Sequence, residues 1–175
     1  ADLRALGVDS LDLVYLRQMR LESIAEHFGA LAELQTKGMI RQLGISNVKV
    51  AHLHEARAIA PVVAVQYRYS VGFGRVNDEI LELCGELGIA FVPFFAVTAE
   101  SREAGGVPES DVVQQIAARH GATEAQVRLA WTLSRGPHVL AIPGTSSEQH
   151  LRENLAAADL ALSPADLAAL NSLTD

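Results

Sequence analysis

Strand-like and helix-like periods alternate along this chain, and that alternation limits its fold more than any other feature. Apolar, β-rich runs at DLVYLR (12–17), RQLGISN (41–47), VVAVQYRYS (62–70), IAFVPFFAV (89–97) and HVLAIPGTS (138–146) read as strands. Between and after them, residues 23–38, 48–60, 77–88, 110–121, 123–136 and 147–160 carry helical spacing, and 163–173 reads as a short final helix. Ser23, Ser110, Thr123 and Ser163 stand where N-caps belong, and Pro164 suits a first helical position. Near-continuous apolar strands between amphipathic helices mean a parallel sheet covered by helices. Residues 98–109 read as a Gly-rich loop, with Gly105 and Gly106 as its hinges.

With 175 residues, 49% of them hydrophobic, the chain can bury one core, and a single domain over 1–175 is expected. A net charge of -7 argues against a nucleic-acid partner. The single cysteine, Cys84, cannot close an internal disulfide and lies in the apolar-patterned run ILELCGELG, so a reduced core thiol and a cytoplasmic setting are expected. No apolar run is long enough to span a bilayer, and no metal-ligand spacing stands out, so neither membrane nor metal is expected. The opening ADLRAL reads as the end of a helix stopped by Gly7, which suggests the later portion of a longer chain.

Two architectures fit alternating strands and helices. An open doubly wound sheet binding a dinucleotide would carry G-x-G-x-x-G between a strand and a helix, and none is found. Polar residues instead gather at the C-terminal ends of successive strands: Arg17, then Ser46 and Asn47, then Gln66, then 94–97, then Gly144 to Ser146. Polar groups at the same end of every strand mark the site of a (β/α)8 barrel. On residue type alone each has a plainer reading. Ser46 and Asn47 can cap the following helix, Phe94 can be core, and Arg17 can be a packed arginine paired with an acid.

The segments LRALGVDSLDLVYL, GMIRQLGISN, VAVQYRYS, GIAFVPFFAV, TEAQVRLAW and IPGTSSEQHLRENL, in this order, resemble the aldo-keto reductase family. The resemblance implies a (β/α)8 barrel of which this chain supplies about five βα units and a short C-terminal helix, with the N-terminal units absent. It implies an NAD(P)H-dependent oxidoreductase that reduces aldehydes or ketones, this chain carrying the cofactor-binding part. By the same resemblance Ser46, Asn47 and Gln66 would clamp the nicotinamide carboxamide, and Phe94 would support its ring. Phe95 and Ala96 would follow in the loop over the pyrophosphate. Ile142, Gly144, Thr145, Ser146 and His150 would hold the adenosine 2′-phosphate, and Glu153 with Asn154 would meet adenine.

Many relatives carry cations where this chain has Gly144, Ser146 and Ser147, and His150 stands at a position often held by arginine. The cofactor is therefore expected to be NADP(H), held less selectively than usual, with NAD(H) tolerated. Of the family's catalytic Asp, Tyr, Lys and His, only the histidine position falls within the chain, and Arg17 occupies it. Expected partners are a small carbonyl substrate and either the missing N-terminal segment or a second copy covering open strand edges. The alternative is a non-catalytic nucleotide-binding or structural barrel remnant that assembles with a partner.

Overall fold

Strand β1 (Leu11–Arg17) pairs in parallel with β2 (Ile40–Ser46), and β2 pairs in parallel with β3 (Ala64–Arg68). With β4 (Ala90–Phe94) they make a four-stranded sheet in the order β1-β2-β3-β4. Pro93, which has no N–H for a ladder, falls on β4 at the end of that order, where a strand tolerates it. This computed structural model describes residues 2–17, 20–73, 75–94, 96–97 and 110–173. The helices are α1 (Asp2–Leu6), α2 (Ala25–Thr36), α3 (Val50–Ile59), α4 (Asp78–Glu86), α5 (Asp111–His120), α6 (Glu124–Leu133), α7 (Glu148–Ala156) and α8 (Pro164–Asn171). The chain divides into two compact units: Ala1–Tyr67 with Glu79–Phe91, and Arg68–Asp78 with Val92–Asp175.

In the first unit the helix-covered face of the sheet is the core. Leu43, Ile45 and Val65 are fully buried, as are Phe28 of α2 and Leu53 and Ala56 of α3. Each large apolar side chain buried in this way contributes about 1.5–3 kcal/mol. Cys84 of α4 is free and buried, and burial pushes its thiol up to about 12, which makes it the inert core thiol expected.

Polar side chains fasten the ends of these helices. Ser23 does not occupy the N-cap of α2; Ile24 does, and Ser23 Oγ accepts from Ala25 N at 3.2 Å. The stronger anchor is Glu55 of α3, whose carboxylate accepts from Ser23 Oγ at 2.5 Å and from Ile24 N at 2.8 Å. Those bonds hold its carboxyl below the usual range. At the start of α3, Lys49 N donates to His52 Nδ1 at 3.2 Å, so Nε2 bears the ring proton facing Glu22 O at 3.2 Å.

In the second unit the core is formed by Val113, Ile116 and Ala117 of α5, Val127 and Leu129 of α6, and Leu170 of α8. Ser110, Thr123 and Ser163 cap α5, α6 and α8 as expected, and Pro164 opens α8. Asp166 is 3% exposed and gathers Ser163 Oγ at 2.7 Å, Ser163 N at 3.0 Å, His120 Nε2 at 2.9 Å and Arg119 at 2.5 Å. The Ser163 hydroxyl, then His120 and Arg119, hold this carboxyl well below the usual range.

The strand expected at 138–146 does not form. Val139 makes one isolated bridge and residues 140–145 have no regular structure. Pro137 and Pro143 offer no N–H to a ladder, and Leu140 and Ile142, at 55% and 50% exposed, gain little burial from strand alternation. The loop expected at 98–109 lies outside the described residues. Among the described residues no helix is long and apolar enough to cross a membrane.

Two expectations follow from this packing. A Cβ on Gly44 would sit 2.6 Å from the Tyr15 ring and 2.9 Å from Ala64 O. Gly44→Ala should cost about 1–3 kcal/mol in urea unfolding, with Tyr15→Ala in the same background recovering part of it. Because the folded Asp166 carboxyl titrates below its unfolded value, its contribution is complete above about pH 4 and fades as pH falls through the lower folded value. Asp166→Asn should therefore destabilise by about 1–3 kcal/mol at pH 7, with the gap to the parent narrowing below about pH 4.

Candidate functional site

The parallel register brings the strand-end residues of the first unit into one row. Arg17 of β1 lies opposite Ser46 of β2, and Ser46 lies opposite Gln66 of β3. Partners at one level of parallel strands project from the same face, so these three share a face with Tyr15, Gly44 and Ala64 one pleat below. It is the face opposite Leu43, Ile45 and Val65. Asn47 turns into the left-handed region at φ 54, and its N–H donates to Gln66 O at 3.1 Å. That bond pins the turn to the neighbouring strand.

The capping reading of Ser46 and Asn47 does not hold. The N-cap of α3 is Lys49, so neither Ser46 nor Asn47 caps it. Ser46 is buried, Asn47 and Gln66 are partly buried, and no hydrogen bond joins their side chains to other described residues. Among the described residues their donors and acceptors are thus uncommitted. Arg17 is exposed, and among the described residues it has no ion-pair partner.

The second unit contributes a cavity of about 330 Å³ lined by Val97, Thr123, Glu124, Ala125, Gly144, Thr145, His150, Glu153 and Asn154. Gly144, Thr145, His150, Glu153 and Asn154 were all expected from sequence, and the fold brings them to one wall. The turn feeding α7 is held locally: Ser147 N donates to Thr145 Oγ1 at 3.0 Å, and His150 N donates to Ser147 Oγ at 3.3 Å. Gln126 joins the walls. Its side chain accepts from Thr123 N at 3.0 Å and donates to Glu153 O at 3.1 Å, tying the start of α6 to α7. Ile142 and Ser146 are exposed and do not line the cavity. Ala96 packs with Leu129 and Ala157, so its side chain belongs to the core. Phe94 is partly buried, and Phe95 lies outside the described residues.

The family model described as Aldo/keto reductase family matches residues 1–175. The chain belongs to the aldo-keto reductase family. It is similar to pyridoxine 4-dehydrogenase of Escherichia coli (strain K12), 41% identical over 99% of this chain and 61% of that protein. It is also similar to aldo-keto reductase str7 of Strobilurus tenacellus, 32% identical over 99% of this chain and 60% of that one. Among solved structures, a thermostable aldo-keto reductase in complex with the inhibitor epalrestat superposes with a TM-score of 0.84 at 33% identity, covering 98% of this chain and 62% of that chain. The aldo-keto reductase from Klebsiella pneumoniae in complex with NADPH gives 0.82 at 30% identity, covering 98% and 61%. The chain thus spans about three-fifths of these relatives. The expected fold class holds: a (β/α)8-barrel type, here a four-stranded parallel sheet with its helices.

Reading an aldo-keto reductase from its residues alone misses two features. Thr123, Glu124 and Ala125 line the cavity although they precede Gly144 by some twenty residues, and only the packing of α6 beside α7 joins them. The second is a Tyr69–Asp78–Arg135 cluster. Tyr69 Oη donates to Asp78 Oδ1 at 2.6 Å and accepts from Arg135 Nε at 3.0 Å, while its ring stacks on Trp131 at 5.5 Å. Burial, and then the bond to Asp78, raise the Tyr69 phenol above its ordinary value. A phenol 1% exposed and bonded at both ends stiffens the core and does not serve as a proton donor to a ligand.

Gln126→Ala should separate the two cavity walls without touching the strand row. Loss of the α6 cap partner and of the bond to Glu153 O should lower stability by about 1–2 kcal/mol, read as a drop in Tm.

Proposed function

We propose that this chain carries the cofactor-binding part of an NADP(H)-dependent aldo-keto reductase acting on small aldehydes or ketones. The observation that carries this reading is the row Arg17, Ser46 and Gln66 with Asn47 beside it: a guanidinium, a hydroxyl and two amides at the C-terminal ends of parallel strands, uncommitted among the described residues. A carboxamide has two donors and an acceptor, and Ser46, Asn47 and Gln66 can match both kinds without adding charge. Partial burial strengthens such bonds and selects one ring face. Phe94 would offer an aromatic face to the ring. Klebsiella's enzyme, 30% identical, was crystallised with NADPH, which supports the choice of cofactor.

The cavity of the second unit fits the adenosine end. Gly144 lines it, and a Cβ there would meet no protein atom within 4 Å, so the wall leaves room for a ligand. Thr145, Glu153 and Asn154 offer hydroxyl, carboxylate and amide groups suited to ribose and adenine. His150 would face a 2′-phosphate with weaker attraction than a guanidinium provides, so NAD(H) should also bind.

When bound, the nicotinamide supplies hydride to a carbonyl carbon. Arg17 would act on the carbonyl oxygen as a fixed cation, stabilising negative charge as it develops. A guanidinium exchanges no proton at neutral pH, so the proton must come from another group of the complete enzyme.

Carbonyl-dependent NADPH oxidation by the full-length protein, measured over a panel of aldehydes and ketones, tests this. Arg17→His should change kcat by about tenfold while the Kd for NADPH stays within about twofold. Gln66→Ala should do the reverse, weakening NADPH by about fivefold. Absence of any carbonyl-dependent oxidation overturns the reading.

A further inference from the structure

The charges around the cavity of the second unit are unbalanced. Among the described residues its lining carries two carboxylates, Glu124 and Glu153, one imidazole, His150, and no lysine or arginine. Glu153 is engaged, its Oε1 accepting from Gln149 Nε2 at 2.9 Å. Glu124, the first residue of α6, is exposed, and no hydrogen bond or ion pair joins it to other described residues. The cations on the same helices are committed elsewhere. Arg152 of α7 pairs with Glu148 at 2.6 Å, and Arg128 of α6 is buried and donates to Val71 O at 3.3 Å. Among the described residues, an unpaired carboxylate thus borders a cavity that lacks a fixed positive charge.

We propose that Glu124 selects the cofactor, its carboxylate accepting from the 2′-hydroxyl of an adenosine ribose and repelling a 2′-phosphate. This rests on reading the cavity as the adenosine subsite. A ribose hydroxyl donates well to a carboxylate, and such a charge-assisted bond is about twice as strong as a neutral one. A 2′-phosphate brings about −1.5 to −2 charge at neutral pH and no proton that Glu124 needs. Dinucleotide sites of unrelated fold divide in the same chemical way, an acid taking the free 2′-hydroxyl and an arginine taking the 2′-phosphate. Discrimination here would come as much from repulsion of one ligand as from attraction of the other. The reduced NADP preference expected from missing cations would then have an active component, one carboxylate that a single substitution removes.

Glu124 also sits in the first turn of a helix, where an acid is favourable whatever binds nearby. The test must separate that role from selection. Isothermal titration of the full-length protein with AMP and with adenosine 2′,5′-bisphosphate at low salt does so, using Glu124→Gln and, as control, Asp111→Asn, the exposed first-turn acid of α5, which does not line the cavity. Glu124→Gln should strengthen adenosine 2′,5′-bisphosphate by about five- to tenfold and leave AMP unchanged or weaker, with the gain shrinking as salt rises. Asp111→Asn should leave the ratio of the two affinities unchanged. If both nucleotides bind and Glu124→Gln shifts them equally, or Asp111→Asn shifts the ratio as much, selection by Glu124 is wrong while the subsite stands. If neither nucleotide binds the parent protein, the subsite and the selection fall together.

Discussion

The parallel register of β1, β2 and β3 is the constraint on which the site depends. The helix-covered face buries Leu43, Ile45 and Val65, and the opposite face carries Arg17, Ser46 and Gln66 at one level. A slip of one residue would exchange the faces, sending serine and glutamine under the helices and leucine and isoleucine out of the core. The same apolar side chains that stabilise the first unit therefore aim its polar row. Gly44 permits the register locally, because the Tyr15 ring occupies the space a Cβ would need.

Within each unit, helix ends are held by side chains from other segments. Glu55 of α3 holds the start of α2, His52 bridges Lys49 to Glu22, Gln126 joins α6 to α7, and Asp166 draws the end of α5 to the start of α8. Each bond answers backbone groups or charges that a helix terminus would leave unpaired. The Asn47 turn is held by its own bond to Gln66 O, and the Thr145–Ser147 turn by local hydroxyl bonds.

Residue type by itself does not assign a role here. Tyr69, Asp78 and Arg135 are a phenol, an acid and a base in hydrogen-bond contact, yet burial and stacking on Trp131 make them a structural cluster. Arg17 is the opposite case. It ends an apolar run, where a packed and paired cation is the ordinary expectation, and it stands exposed and unpaired among the described residues. Exposure and partners separate the two, and both are properties of the folded chain.

The sequence by itself determined the alternation of strands and helices, the caps at Ser110, Thr123 and Ser163, and the polar residues that end β1, β2 and β3. All of these arise from periodicities and side-chain to backbone bonds within a few residues, which any short window contains. It also pointed to the family, through short segments in a fixed order. Tertiary structure alone decided that 138–146 is not a strand, that Ala96 is core, and that Glu55 rather than Ser23 is the main anchor at the start of α2. It alone set Thr123, Glu124 and Ala125 into a wall with Gly144, His150 and Glu153. The reason is the same in each case: burial, a cavity wall and a free charge depend on which distant segments pack together, and no local pattern encodes that.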